Sequence, residues 1–109
     1  AAAYDDAGEL HTFVFHCPVN FNNGEPIPPS QLDSLEKLLC ERAGGFTVSE
    51  AQGAWEYEGK VYHEPVRRYM LGLPAHRIPI VADEIEALLK VDYKQIAVWI
   101  EVDGEPEIR

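Results

Sequence analysis

From Leu10 onward the chain alternates short apolar runs with polar breaks, and the period of each run predicts its element. Leu10 to Val19 is apolar, β-branched and aromatic, which predicts a strand closing at Cys17, because Pro18 has no N–H for a ladder. The stretch from Val19 to Pro29 carries Asn20, Asn22-Asn23-Gly24 and three prolines and predicts a long loop, a place where a ligand lid can sit. Ser30 reads as a helix N-cap with Asp33 three positions on. Leu32, Leu35, Leu38 and Leu39 follow at helical spacing, and Gly44-Gly45 ends that helix near Ala43.

Phe46–Tyr57 and Lys60–Leu73 are two strand-like runs meeting at Glu58-Gly59, a two-residue turn with glycine available for positive φ. The long hairpin so predicted pairs Tyr57 with Lys60, Trp55 with Tyr62, Gly53 with Glu64 and Val48 with Tyr69. A bulge at Pro65 would shift the inner pairs by one. Leu73–Ile80 reads as a loop. Ala82–Lys90 reads as a short helix with Ile85, Leu88 and Leu89 inward and Asp83 and Glu84 in its first turn. Lys94–Val102 alternates Ile96, Val98, Ile100 and Val102 with Gln95, Ala97, Trp99 and Glu101, as a last strand would.

The order β-α-β-β-α-β predicts an α+β, ferredoxin-like fold: a four-stranded antiparallel sheet with two helices on one face. The first and third strands would be central, and the second and fourth would form the edges. Residues 1–9 read as a flexible lead-in, 10–103 as a single domain and 104–109 as a polar tail. The pattern assigns Phe13, Phe15, Phe46, Val48, Tyr69, Leu71, Ile96, Val98 and Ile100 to the helix-covered face. The open face would receive Thr12, Val14, His16, Trp55, Tyr57, Tyr62, Glu64, Arg68, Met70, Ala97, Trp99 and Glu101. Aromatics mixed with charges are not the composition of a plain solvated surface, so something is expected to cover that face. A second copy in a two-fold dimer is one occupant. A small anionic or aromatic ligand among His16, Trp55, Tyr62, Glu64, Arg68 and Trp99 is the other. A peptide docked on an exposed hairpin edge is a third.

Composition narrows this picture. The 109 residues carry nine Lys plus Arg against nineteen Asp plus Glu, a formal charge of −10. Such a balance repels phosphate backbones, so nucleic acid is not an expected partner. The apolar runs are far shorter than a membrane-spanning helix, so no membrane is expected either. Two cysteines, Cys17 and Cys40, make no disulfide framework and read as reduced and mostly buried. No signal peptide is visible and a cytoplasmic location is expected, although a start at Ala-Ala-Ala without Met leaves room for a removed leader.

Gly53-Ala54-Trp55 followed by Gly59-Lys60-Val61-Tyr62-His63-Glu64-Pro65 resembles a hairpin signature of small, uncharacterised bacterial proteins with a ferredoxin-like fold, some from integron cassettes. The resemblance implies a compact, self-associating domain and no reaction.

Other chemistry has weaker support. His11, His16 and Cys17 share a strand, but His16 points away from the other two, so a metal site is not expected. The same geometry leaves Cys17 without an adjacent base. Lys60, His63, Arg67, Arg68, His76 and Arg77 form a basic segment able to bind an anion, unless Arg67 or Arg68 pairs with Glu50 or Glu56 across the hairpin. Glu64, set among aromatics, is a candidate base or acceptor if buried, or else half of a salt bridge. Phosphate-loop, dinucleotide, serine-hydrolase and zinc-protease motifs are missing. The expectation is therefore a self-associating module with no assigned reaction and no cofactor, or else a small-molecule binding protein or enzyme using the open face.

Overall fold

A computed structural model describes residues 8–109. The first seven residues of the expected lead-in lie outside the described part. Strand β1 (Leu10–Pro18) leads through a loop to helix α1 (Pro29–Ala43). Strands β2 (Thr47–Tyr57) and β3 (Lys60–Pro74) follow, then helix α2 (Ile78–Val91) and strands β4 (Trp99–Val102) and β5 (Glu105–Ile108). The sheet is antiparallel, in the order β2-β3-β1-β4-β5, with two helices. The expected α+β fold is present with a fifth strand added, so β4 is an inner strand and not an edge.

The hairpin register is the expected one throughout, from Tyr57–Lys60 through Trp55–Tyr62 and Gly53–Glu64 to Val48–Tyr69. Glu58 and Gly59 turn with φ of 51° and 77°, the mirror-image turn that matches strand twist. Pro65 causes no slip, because β1 reaches only as far as Val66 and no strand beyond it asks Pro65 for a donor.

The core lies between the sheet and the helices. Phe13, Phe15 and Cys17 of β1 join Tyr69, Leu71 and Leu73 of β3, Val98 just before β4 and Ile100 within it, Leu35 and Leu39 of α1, and Ile85 and Leu89 of α2. Each large apolar side chain buried there stabilises the fold by about 1.5–3 kcal/mol. Phe15 stacks on Tyr69 with ring centroids 5.2 Å apart, and Phe46 meets Tyr69 edge-on at 5.5 Å. The Tyr69 hydroxyl, at the end of this stack, donates to Glu36 of α1 at 2.7 Å.

Several expectations are corrected. Helix α1 begins at Pro29, with Pro28 at the cap, so Ser30 lies inside the first turn and caps nothing. Helix α2 starts four residues before the expected Ala82, because Pro79 sits in its first turn, where a missing N–H costs nothing. β4 is only four residues long, since Lys94 adopts a left-handed φ of 58° and breaks the run. Ile96, assigned to the core, is 89% exposed, and Val48 is exposed as well. Cys40 is exposed on α1, whereas Cys17 is buried as expected. The supposed polar tail is β5: Asp103 and Gly104, with φ of 51° and 83°, make a second mirror-image turn that returns the chain along β4.

Candidate functional site

The site exists because the strands differ in length. β1 stops at Pro18, opposite Val66, while β3 and β2 continue past it as a two-stranded arm. On the far side of the gap lie the segment before β4 and the end of β5, tied together where Val98 and Arg109 exchange two backbone hydrogen bonds of 3.0 and 2.9 Å. Between arm and β4 opens a cleft of about 500 Å³ on the face away from the helices. Trp55, Glu64 and Val66 form the arm side, His16 and Pro18 the end of β1, and Trp99 and Ile108 the opposite wall. Gly53, paired with Glu64, contributes no side chain and keeps the arm side open.

Four of the six expected residues, His16, Trp55, Glu64 and Trp99, therefore line one cleft. Tyr62 stands behind Trp55 and stacks on it, with centroids 5.4 Å apart and planes 19° apart. The Lys60 ammonium lies 5.1 Å from the Tyr62 ring centre, a cation–π contact that stiffens the arm. Arg68 is not a free anchor for an anion. Its guanidinium grips Glu101 of β4 with both terminal nitrogens, one at 3.1 Å and the other closer, and also lies 3.1 Å from His16 Nε2.

Glu101 accepts a further hydrogen bond of 2.9 Å from the Trp99 indole, and the His16 ring stacks on Trp99 at 5.9 Å. The hydrogen bonds from Arg68 and then Trp99 hold the Glu101 carboxyl down to about 2. Burial, and then the charge of Arg68, lowers the pKa of His16 below its ordinary value. With an Arg donor at Nε2, the neutral imidazole carries its proton on Nδ1. Glu64 is the contrast. Its carboxylate makes no hydrogen bond or ion pair among the described residues, and burial alone raises its pKa. The salt bridge expected of it is absent because Arg68 is spent on Glu101.

The remaining candidates disperse. Arg67 reaches Glu36 of α1 at 3.7 Å, so neither it nor Arg68 pairs with Glu50 or Glu56. His76 and Arg77 border a separate pocket with Arg42 on the helix side, so the basic segment does not converge on one anion site. His11 is bonded to Asp103 at 2.7 Å, and Cys17 is a core thiol pushed up to about 12 by burial. Among the described residues no group of three or more His, Cys, Asp or Glu is placed to hold a metal ion. The loop after β1 is no lid: Asn22 donates to the Lys94 carbonyl at 2.9 Å and Ile27 is buried, so it fastens the strand end to the segment before β4. Among the described residues, no helix is long and apolar enough to cross a membrane.

Sequence reasoning placed Glu101 on the open face but missed its role, which depends on β1 bringing Arg68 and Glu101 to its two sides. Ile108 was missed with β5, although Asp103-Gly104 between polar-apolar alternations was the available signal.

The chain matches no protein-family profile and no curated protein sequence. Its fold is similar to that of a phage SAM lyase solved in complex with S-methyl-5'-thioadenosine, with a TM-score of 0.69 at 12% identity, over 100% of this chain and 94% of that one. It is also similar to the divalent ion tolerance protein CutA of Ehrlichia chaffeensis, with a TM-score of 0.66 at 9% identity, over 89% and 81% of the two chains. CutA of Archaeoglobus fulgidus, a periplasmic divalent cation tolerance protein, gives a TM-score of 0.60 at 14% identity, over 85% and 80%. Likeness at these identities is one of fold, a ferredoxin-like α+β sheet with two helices.

Proposed function

We propose that the open-face cleft binds a small molecule in which a flat aromatic ring is joined to a positively charged group, with an adenosyl sulfonium such as S-adenosylmethionine as the type ligand. The observation that carries this reading is Glu64, a part-buried carboxylate with no partner, set between Trp55 and the His16–Trp99 stack. Indole faces take up a planar heterocycle by offset stacking and attract a cation through their π-electrons. A lone carboxylate in an apolar cleft supplies the matching charge. The chain's excess of acidic groups points the same way, toward a cationic ligand. Arg68, neutralised by Glu101, gives little to the anionic alternative. The fold likeness to the phage SAM lyase, which extends over the whole of this chain, supports the choice of ligand.

Glu64 is also the group in the cleft suited to take a proton from a bound substrate, since its raised pKa brings it nearer to neutral pH. The reaction class that fits is elimination from a sulfonium. Glu64 takes a proton from the carbon next to the sulfur-bearing carbon of the amino-acid arm, and the C–H electrons form a C=C bond. The C–S bond breaks with its pair going to sulfur, which releases neutral S-methyl-5'-thioadenosine and an unsaturated amino acid. Incubation with S-adenosylmethionine, with products separated by chromatography, tests it. The wild type is expected to release the thioether and Glu64→Gln to lose at least about 100-fold in rate. Quenching of the cleft tryptophans by ligand without any turnover leaves a binding protein, and the absence of both quenching and turnover refutes the reading.

A second reading, self-association as a two-fold dimer, is favoured by the arm. Trp55, Tyr57 and Val61 are 48%, 60% and 54% exposed on a two-stranded ribbon with no third strand to support it. Light scattering on a sizing column tests this reading. A dimer that becomes a folded monomer in Trp55→Ala supports it, and a wild-type monomer rejects it.

A further inference from the structure

We propose that Arg68 and Glu101 are positioning residues that hold the Trp99 indole in place as a fixed wall of the cleft. The inference rests on the ligand reading above for its purpose but on geometry for its substance. Trp99 is 37% exposed and stands at the start of a four-residue strand, so its ring is not locked inside the core. An indole so placed samples several rotamers in water, and a ligand that needs one of them bears the cost of ordering it.

Three contacts remove that freedom. The indole N–H donates to Glu101 Oε2 at 2.9 Å. Glu101 is itself clamped by both terminal nitrogens of Arg68, a fork that fixes the carboxylate plane as well as its position. The neutral His16 ring lies against the indole, 20° from parallel, and is bonded to the same guanidinium at 3.1 Å. Neither Arg68 nor Glu101 lines the cleft, so both act on a ligand only through Trp99 and His16. The pair spans three strands, β3 to β4 across β1, and so ties the wall to the central strands of the sheet. Two opposite charges that would otherwise compete for a ligand are thereby spent on each other.

The test separates the wall from the ligand. In a Trp55→Phe background Trp99 is the sole tryptophan, and acrylamide quenching of its emission reports its mobility without any ligand. Glu101→Gln and, as a milder change, Arg68→Lys are both expected to raise the quenching constant toward that of a free indole, while far-UV circular dichroism stays that of the parent. In the chain with both tryptophans, the same substitutions are expected to weaken S-methyl-5'-thioadenosine binding by up to about tenfold. Unchanged quenching in both variants overturns the proposal, as does raised quenching with unaltered affinity. Raised quenching in a protein whose wild type does not bind the thioether supports the clamp and counts against the ligand reading alone.

Discussion

The two faces of one sheet are built from alternate residues of the same strands, and they follow opposite rules. On β1, Phe13, Phe15 and Cys17 point to the helices and are wholly buried, while Thr12 and His16 point to the open side and meet water, with Val14 sheltered by its neighbours. The covered face is nearly all hydrocarbon, and its polar atoms are satisfied at the margin, as the Tyr69 hydroxyl is by Glu36. The open face spends charge to hold aromatics in place and leaves one carboxylate, Glu64, without a partner. Hydrocarbon stability is thus concentrated on one side of a sheet one residue thick, while the other side holds the groups that can meet a ligand and is braced by the Arg68–Glu101 pair.

Substitutions that act on one face only sharpen this division. The largest effect belongs to the covered face: Phe15→Ala removes a ring from the stack with Tyr69 and is expected to cost about 3–5 kcal/mol in urea unfolding. Glu101→Gln is next. The carboxyl is held near 2, so its stabilisation is present above its ordinary value of 4.5 and lost as pH falls through about 2. Solvent screening of the partly exposed Arg68 trims the effect, and the variant is expected to lose about 2 kcal/mol at neutral pH and to flatten the acid limb of the stability curve. A variant as stable as the wild type, with the same acid limb, would remove the clamp from the account.

His16 gives a smaller, oppositely placed signal. Its pKa is lowered in the folded state, so below 6.5 the unfolded chain takes up a proton that the folded chain resists. Stability is expected to fall as pH drops through 6.5 and to level off once folded His16 also titrates. His16→Gln should abolish that fall, and a fall that persists in the variant would assign it to another group. Ile96→Ser is expected to change stability by less than about 0.5 kcal/mol, because the side chain stands in water. A loss of core size there would restore Ile96 to the covered face.

What was legible in the sequence follows the same division. The hairpin register could be read residue by residue, because a two-residue turn at Glu58-Gly59 dictates every pair that follows. The face assignment of β1 and β3 was readable from period-two alternation. Outside those two strands it failed at Ile96, which falls in the irregular segment that Lys94 breaks off before β4, and at Val48, which stands exposed on the edge strand β2. β5 escaped notice because three of its four residues, Glu105, Pro106 and Glu107, are poor strand formers, and an edge strand needs only the turn and a free ladder to form. The members of the site were visible as aromatics and charges on one face. The division of labour among them was not, since the preference of Arg68 for Glu101 over Glu64 depends on which strands lie on either side of β1.

The central claim is that an unpartnered Glu64 between aromatic walls recognises positive charge. Calorimetric titration of the wild type and Glu64→Gln with S-adenosylmethionine, and with the uncharged S-methyl-5'-thioadenosine, tests it most directly. The wild type is expected to bind the sulfonium at least about tenfold more tightly than the thioether, and Glu64→Gln to erase the difference while keeping its affinity for the thioether. Equal affinities for the two ligands in the wild type, or a preference that survives in Glu64→Gln, would contradict it.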